Sequence, residues 1–384
     1  MSAPTQHAVA AAQVFDGATV HENAAVVIEG ARIVALVPRA ELSRAITVRA
    51  FADTWLAPGF IDIQVNGGGD VLFNDCPTPA GIAAIAAAHR KFGTTGLLPT
   101  LISDTPEKMR AALAAVESVA DTQPSVLGIH LEGPFLSPER PGVHDVGSLR
   151  APTEEDRALL TARRKGARLV TLAPERVPAG FIAALTATGI RVALGHSMAT
   201  YAQTRAAMTE GLTGFTHLFN AMRPLAAREG GPIAAALEFR DAWFGLIVDG
   251  VHVDAAVLRL ALTGAGRPIL VTDAMPPVGG TRATFSLYGE EIAVRDGRCT
   301  RRDGTLAGAV LDMAQAVGNC VRLLGLPLER ALAFASRHPA AFLGLGGRLG
   351  RLAPGYRADM VAFDAADMRV RETWVAGKPS VAGS

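Results

Sequence analysis

Glu132, His196, His217 and Asp273 are the residues with which this sequence could do chemistry. One carboxylate and two imidazoles offer the O and N donors that a divalent ion such as zinc takes in an open catalytic site, leaving a position for water. A further carboxylate facing that water is suited to take a proton from it and return the proton later, which is hydrolysis by general acid and base. Each residue also has a plainer reading. A histidine is often a hydrogen-bonded core residue, and Asp273 could cap the segment after it. The metal-hydrolase reading prevails because all four fall at equivalent places in a repeating pattern.

That pattern is an alternation of strands and helices. Between Trp55 and Ala274 short β-rich runs recur, each ending in a polar residue or glycine and most followed by an Ala-rich stretch of helical periodicity. Eight strands are predicted, over 60–66, 96–101, 126–132, 169–174, 191–196, 214–219, 244–249 and 269–273. Helices are predicted over 81–91, 106–119, 154–164, 179–188, 201–210, 254–263 and 308–324. Strand followed by helix, eight times, reads as an α/β fold of the (β/α)8 TIM-barrel type, whose chemistry gathers where the C-terminal ends of the strands meet. Gln64 and Asn66 end the first strand, His130 and Glu132 the third, His196 the fifth, and Thr216 and His217 the sixth. Asp249, with His252 just beyond, ends the seventh strand, and Asp273 ends the eighth.

The flanks lack this alternation. Residues 24–36 and 350–377 carry hairpin-like strands with turn residues, so both termini are expected to build one small β domain. The expected division is 1–54 and 345–384 for that domain and 55–344 for the barrel. An insertion over 278–305, containing TFSLYG and EIAVRDG, reads as a further hairpin between the eighth strand and its helix.

Composition narrows the function classes. The 384 residues carry 37 basic and 36 acidic side chains, a net charge of +1, with no basic block. The electrostatic footprint of a nucleic-acid or anionic-membrane binder is missing, so an anionic ligand must be held locally. The N-terminal stretch lacks a basic region followed by an apolar one, and no run reaches the roughly 18 apolar residues of a spanning helix. The three cysteines, Cys76, Cys299 and Cys320, are too few and too scattered for a disulfide framework. A cytoplasmic protein is expected.

Five segments then carry a resemblance: APGFIDIQVNG at 57–67, HLEGPF at 130–135, GHS at 195–197, THLFNAM at 216–222 and LVTDA at 270–274. Together they resemble the N-acetylglucosamine-6-phosphate deacetylases, a family of the amidohydrolase superfamily. The likeness runs nearly end to end; its most specific parts are HLEGPF, THLFNAM and the Gly142-Val143-His144-Asp145 stretch. It implies a barrel carrying a small β-sandwich from both termini, a homodimer, and removal of acetate from the sugar-phosphate amide in amino-sugar catabolism and cell-wall sugar recycling. It assigns one divalent metal, zinc first, to Glu132, His196 and His217, and the proton transfers to Asp273. Substrate contacts implied are Val143, His144, Asn220, Ala221, Arg228, Asp249, Gly250, Val251, His252, Leu306, Ala307 and Gly308.

One departure bears on the metal. Where the superfamily often has His-x-His on the first strand, this chain has Gln64-Val65-Asn66, and its four lysines, Lys91, Lys108, Lys165 and Lys378, are not at strand ends. Amides are poor zinc ligands beside imidazoles. Gln64 and Asn66 are therefore read as a vestigial second-metal position, and a single ion is expected. Arg228 offers a planar fork for the phosphate, and Asn220 with the Ala221 N–H offers neutral donors. Arg228 or His252 could serve a neighbouring subunit's site. N-acetylgalactosamine 6-phosphate or another amide remains an alternative substrate, and a scaffold without catalysis an alternative role. Iron and other divalent ions suit the same donors as zinc.

Overall fold

The computed structural model describes residues 6–381; positions 1–5 and 382–384 of the expected terminal domain lie outside the described residues. Eight parallel strands form the barrel sheet, in the chain order Phe60–Val65, Thr94–Ile102, Gly128–Glu132, Ala167–Leu172, Arg191–Leu194, Gly214–Phe215, Trp243–Leu246 and Arg267–Leu270. Each strand pairs with the next in sequence. A helix follows each one, because apolar residues at helical spacing cover the outside of the sheet. Thr105 caps Pro106–Val119, and reciprocal side-chain caps start Glu154–Thr161 and Tyr201–Thr209.

The helix Gly231–Glu238 was not predicted. Its opening Gly-Gly-Pro reads as loop, yet proline is tolerated in a first helical turn, where its missing N–H has no partner to lose. The predicted helix 308–324 begins only at Met313, with Asp312 accepting from Gln315 N at its start. Residues Leu306–Ala309 instead join the insertion as the last strand of a four-stranded antiparallel sheet, which contains the expected hairpin of Thr284–Leu287 and Glu290–Arg295.

The first and eighth barrel strands are joined by a short seam rather than a long ladder. Asp273 N donates to Gln64 O at 3.1 Å, and Asn66 N donates to Ala274 O at 2.9 Å. Below them the buried Asp62 carboxylate accepts from the Thr272 hydroxyl at 2.5 Å and from Gln64 N at 3.2 Å. This stitch fixes the first strand against the segment that carries Asp273.

Both termini meet in one seven-stranded sheet, joined where Thr47–Pro58 pairs antiparallel with Met360–Phe363. Strand alternation gives it apolar residues on both faces, Val9, Val26 and Ile28 with Trp374 on one and Ala8, Ala10 and Val27 on the other. Burying each large side chain contributes about 1.5–3 kcal/mol, which holds the two chain ends together without a covalent link. Among the described residues no helix is long and apolar enough to cross a membrane.

Candidate metal centre and substrate cavity

At the C-terminal mouth of the barrel a cavity of about 240 Å³ is lined by Asn66, Glu132, His196, His217, His252 and Asp273, among others. Glu132 is the last residue of its strand, whereas the strands before His196, His217 and Asp273 stop short of those residues. The fifth ladder ends at Leu194, the sixth at Phe215 and the eighth at Leu270, two or three residues before His196, His217 and Asp273. Each of these three residues has a left-handed backbone, with φ of 47°, 32° and 52°. Such conformations are costly away from glycine and concentrate at functional sites. Here they turn three side chains off the strand direction and over the mouth.

Glu132, His196 and His217 place one donor atom each within 4.8 Å of one another, all buried. Glu132 Oε1 lies 3.2 Å from His196 Nε2 and 3.0 Å from His217 Nε2, and the two ring nitrogens are 3.0 Å apart. His196 Nδ1 donates to Arg140 O at 2.9 Å, so in the neutral ring its Nε2 carries a bare lone pair. A lone pair, a second imidazole nitrogen and a carboxylate oxygen aimed at one point call for a cation or a proton between them, and the buried His217 Nδ1 has no hydrogen-bond partner to fix its ring proton. The donor set fits a divalent ion.

Burial pushes the Glu132 carboxyl up, but hydrogen bonds and charge from His196 and His217 more than offset this and hold it well below the usual range. Burial raises the Asp273 carboxyl, with the Glu132 charge adding to the rise, and His217 and His252 oppose it only in part. A carboxylate with raised proton affinity is suited to take a proton and pass it on.

His144 is a donor by elimination. Its Nδ1 accepts from Ser103 N at 3.2 Å and lies 2.7 Å from Ser103 Oγ, so the ring proton sits on Nε2. Burial, with His196 nearby, depresses its pKa well below the usual imidazole value and keeps it neutral. Gly142 lets this loop approach. A Cβ there would stand 3.0 Å from His196 Cε1, and φ is +55°. His130, two residues before Glu132, instead bonds Thr171 Oγ1 at 2.7 Å inside the barrel, where burial lowers its pKa to about 4. It is a core histidine.

Of the expected substrate contacts, Val143, His144, Asn220, Ala221, His252, Leu306 and Gly308 line the cavity. Asp249 sits behind His252, its Oδ2 2.6 Å from His252 Nδ1, and so orients that ring from outside. Ala307 points the other way, as strand alternation requires, into the core of the inserted sheet. Gly308 carries φ +67°, and a Cβ there would meet Met275 Cγ at 2.5 Å, so only glycine lets this strand lie on the Asp273 segment. Gly250 and Val251 are not among the lining residues, although Val251 N donates to Asp249 Oδ1.

Asn220 Nδ2 donates to His217 O at 3.1 Å, closing its own turn. Arg228 is exposed and outside the cavity of its own chain. Nor is the 228–232 run a free loop, since Glu229 Oε1 accepts from Tyr201 N at 2.7 Å and Gly231 N at 2.8 Å.

Sequence reasoning missed the second and fourth strand ends. Ser103 follows the second strand and sets the His144 tautomer. Glu175 follows the fourth and accepts from Ser197 Oγ at 2.7 Å and from Met198 N, bracing the turn beside His196. Both are polar residues at strand ends, the same signal that picked out the others. Ile102, Ile247 and Met275 supply apolar wall and carry no such signal.

Comparison with known proteins agrees with this geometry. The profile described as Amidohydrolase family matches residues 55–380. An N-acetylgalactosamine-6-phosphate deacetylase of Shewanella sp. (strain ANA-3) is 42% identical over 327 residues, covering 84% of this chain and 82% of that protein. The crystal structure of N-acetylglucosamine-6-phosphate deacetylase from Pasteurella multocida superposes with a TM-score of 0.95 at 34% identity, over 98% of this chain and 100% of that one. A mutant of the Mycobacterium smegmatis N-acetyl-D-glucosamine-6-phosphate deacetylase, in complex with N-acetyl-D-glucosamine-6-phosphate, superposes with a TM-score of 0.89 at 34% identity, over 98% and 100%. The chain belongs to the amidohydrolase family, in its branch of N-acetylated amino-sugar 6-phosphate deacetylases.

Proposed function

We propose that the protein hydrolyses the acetamide of N-acetyl-D-glucosamine 6-phosphate to D-glucosamine 6-phosphate and acetate. The observation that carries this reading is the convergence of Glu132, His196 and His217 on one point, in the same cavity as Asp273. Glu132, His196 and His217 would hold one divalent ion, zinc first, though iron fits the same donors. When bound, such an ion supplies Lewis acidity, polarising the acetyl carbonyl and making water a competent nucleophile near neutral pH.

The remaining work falls to side chains. Asp273 takes the proton of the attacking water and delivers a proton to the sugar nitrogen, without which the amine is a poor leaving group. His144 donates from Nε2 to the acetyl oxygen or to a sugar hydroxyl. His252, braced by Asp249, offers its other ring nitrogen to the cavity. The Ala221 N–H has no acceptor among the described residues and is a neutral donor for the phosphate.

A second reading has a specific observation behind it, the 42% identity to an N-acetylgalactosamine-6-phosphate deacetylase. Acetate release from both epimers, each with and without phosphate, by protein of measured metal content separates the two. The glucosamine epimer is expected to give the higher kcat/KM, and the phosphorylated form of either to exceed the free sugar. A higher value for the galactosamine epimer would reassign the substrate.

We also propose a homodimer. Exposed Arg228 supports a role in the neighbouring subunit's site, and the exposed Leu225 and Val146 on the loops after the sixth and third strands offer apolar surface for such a contact. Arg228→Ala is expected to raise KM for the phosphorylated substrate about tenfold, the scale of one charge-assisted contact, with little change for the unphosphorylated sugar. A monomeric variant with wild-type KM would remove the cross-subunit role. The three free cysteines suit a reducing cytoplasm, and the division into 1–54 with 345–384 and 55–344 remains our proposed domain scheme.

A further inference from the structure

We infer that Gln64 and Asn66 are positioning residues, whose amide N–H groups hold the carboxylates of Asp273 and Glu132 so that each has one oxygen bound and the other free to work. Gln64 Nε2 lies 3.2 Å from both Glu132 Oε2 and Asp273 Oδ1, bridging the two. Asn66 Nδ2 lies 2.6 Å from the same Asp273 Oδ1. An ionised carboxylate only accepts hydrogen bonds, so each amide must present its nitrogen.

The division of oxygens follows. Glu132 turns Oε2 to Gln64 and Oε1 to His196 and His217. Asp273 gives Oδ1 to both amides, and its Oδ2 accepts no hydrogen bond among the described residues. Turning either carboxylate out of its plane would break its bonds to the amides, so the amides hold its orientation. Gln64 and Asn66 are each 2% exposed, and the backbone seam to Asp273 and Ala274 fixes their distance from the acid.

The pair thus has a use beyond marking a lost second-metal site. N–H dipoles aimed at the two carboxylates supply positive potential where a second cation would otherwise do so, and repel an ion from that space. The role at Asp273 rests on the reading of that residue as the proton carrier. The role at Glu132 does not.

The test uses the metal-loaded, full-length enzyme. Asn66→Leu and the smaller Asn66→Ala remove the donor to Asp273, and Gln64→Met removes the bridge. Both Asn66 variants are expected to lose about 30-fold or more in kcat, the scale of a hydrogen bond to a buried charge, with KM within about threefold and one metal per subunit. Gln64→Met is expected to lose metal to a chelator about tenfold faster as well. A merely structural role would lower Tm while leaving kcat and metal loss unchanged below the melting range, and that result would overturn the proposal. Should Asn66→Leu fail to fold, Asn66→Ala decides, because it keeps the backbone bonds of the seam and adds no bulk beside Asp273. If the wild-type enzyme releases no acetate from either epimer, the reading of Asp273 fails. Chelator-driven metal loss in Gln64→Met still decides the role at Glu132.

Discussion

Asp273→Asn is expected to bind one metal per subunit as the wild type does and to lose about 10³- to 10⁴-fold in kcat. Asparagine keeps the shape of the side chain, and its Oδ1 can still accept from Gln64 Nε2 and Asn66 Nδ2, which now stand 3.2 and 2.6 Å from the carboxylate oxygen. What changes is the other atom. In place of a basic Oδ2 facing the cavity there is an NH2 that can neither take the proton of the attacking water nor return it to the sugar nitrogen. Two proton transfers lose their carrier, and one such carrier is worth about 10²- to 10⁴-fold. At about 1.36 kcal/mol per decade the upper part of that range is about 4–5.5 kcal/mol of barrier. Rates of acetate release with parallel elemental analysis check it, and a metal-loaded variant within tenfold of wild-type kcat would remove Asp273 from the proton path.

His196→Ala and His217→Ala are expected to fail differently, by losing the ion itself. Each leaves a buried Glu132 with one imidazole in place of two, because the three donors form the one cluster of this kind among the described residues. Loss of an outer-shell partner costs about 10- to 100-fold in metal affinity, and removal of a direct ligand is expected to exceed that. Activity should return in part when excess metal is added, since Asp273 and His144 are untouched. The contrast with Asp273→Asn is the diagnostic: a full metal complement with no turnover in one case, an empty site in the other. Full occupancy in both alanine variants, measured after dialysis, would contradict the ligand assignment.

The barrel was legible because its strands are short apolar runs that end in polar residues, and that pattern needs no knowledge of distant contacts. The strand ends that carry the site are shorter than the pattern predicts. The apolar runs predict strand over 191–196, 214–219 and 269–273, whereas ladder pairing stops at Leu194, Phe215 and Leu270. The residues beyond carry the chemistry, and their left-handed backbones at His196, His217 and Asp273 have no signature in an apolar-polar pattern. The predicted helix 308–324 takes in Gly308 and Ala309 for a related reason, since pairing of Leu306–Ala309 with the inserted sheet, not local propensity, makes them strand.

The sequence by itself determined which chemical groups the protein possesses and at which strand ends they lie: a carboxylate, two imidazoles and a second carboxylate on one rim, with no net charge to spare for a polyanion. It could not determine the direction of a single hydrogen bond. Only the tertiary structure decided that His196 presents Nε2, that His144 keeps its proton on the cavity side, and that Arg228 stands outside its own cavity. It alone turned Gln64 and Asn66 from an apparent vacancy into donors. The reason is physical, because an imidazole tautomer or amide orientation is set by whichever partner lies within about 3 Å. For Gln64 those partners are 68 and 209 residues away along the chain, at a distance where no local pattern reaches.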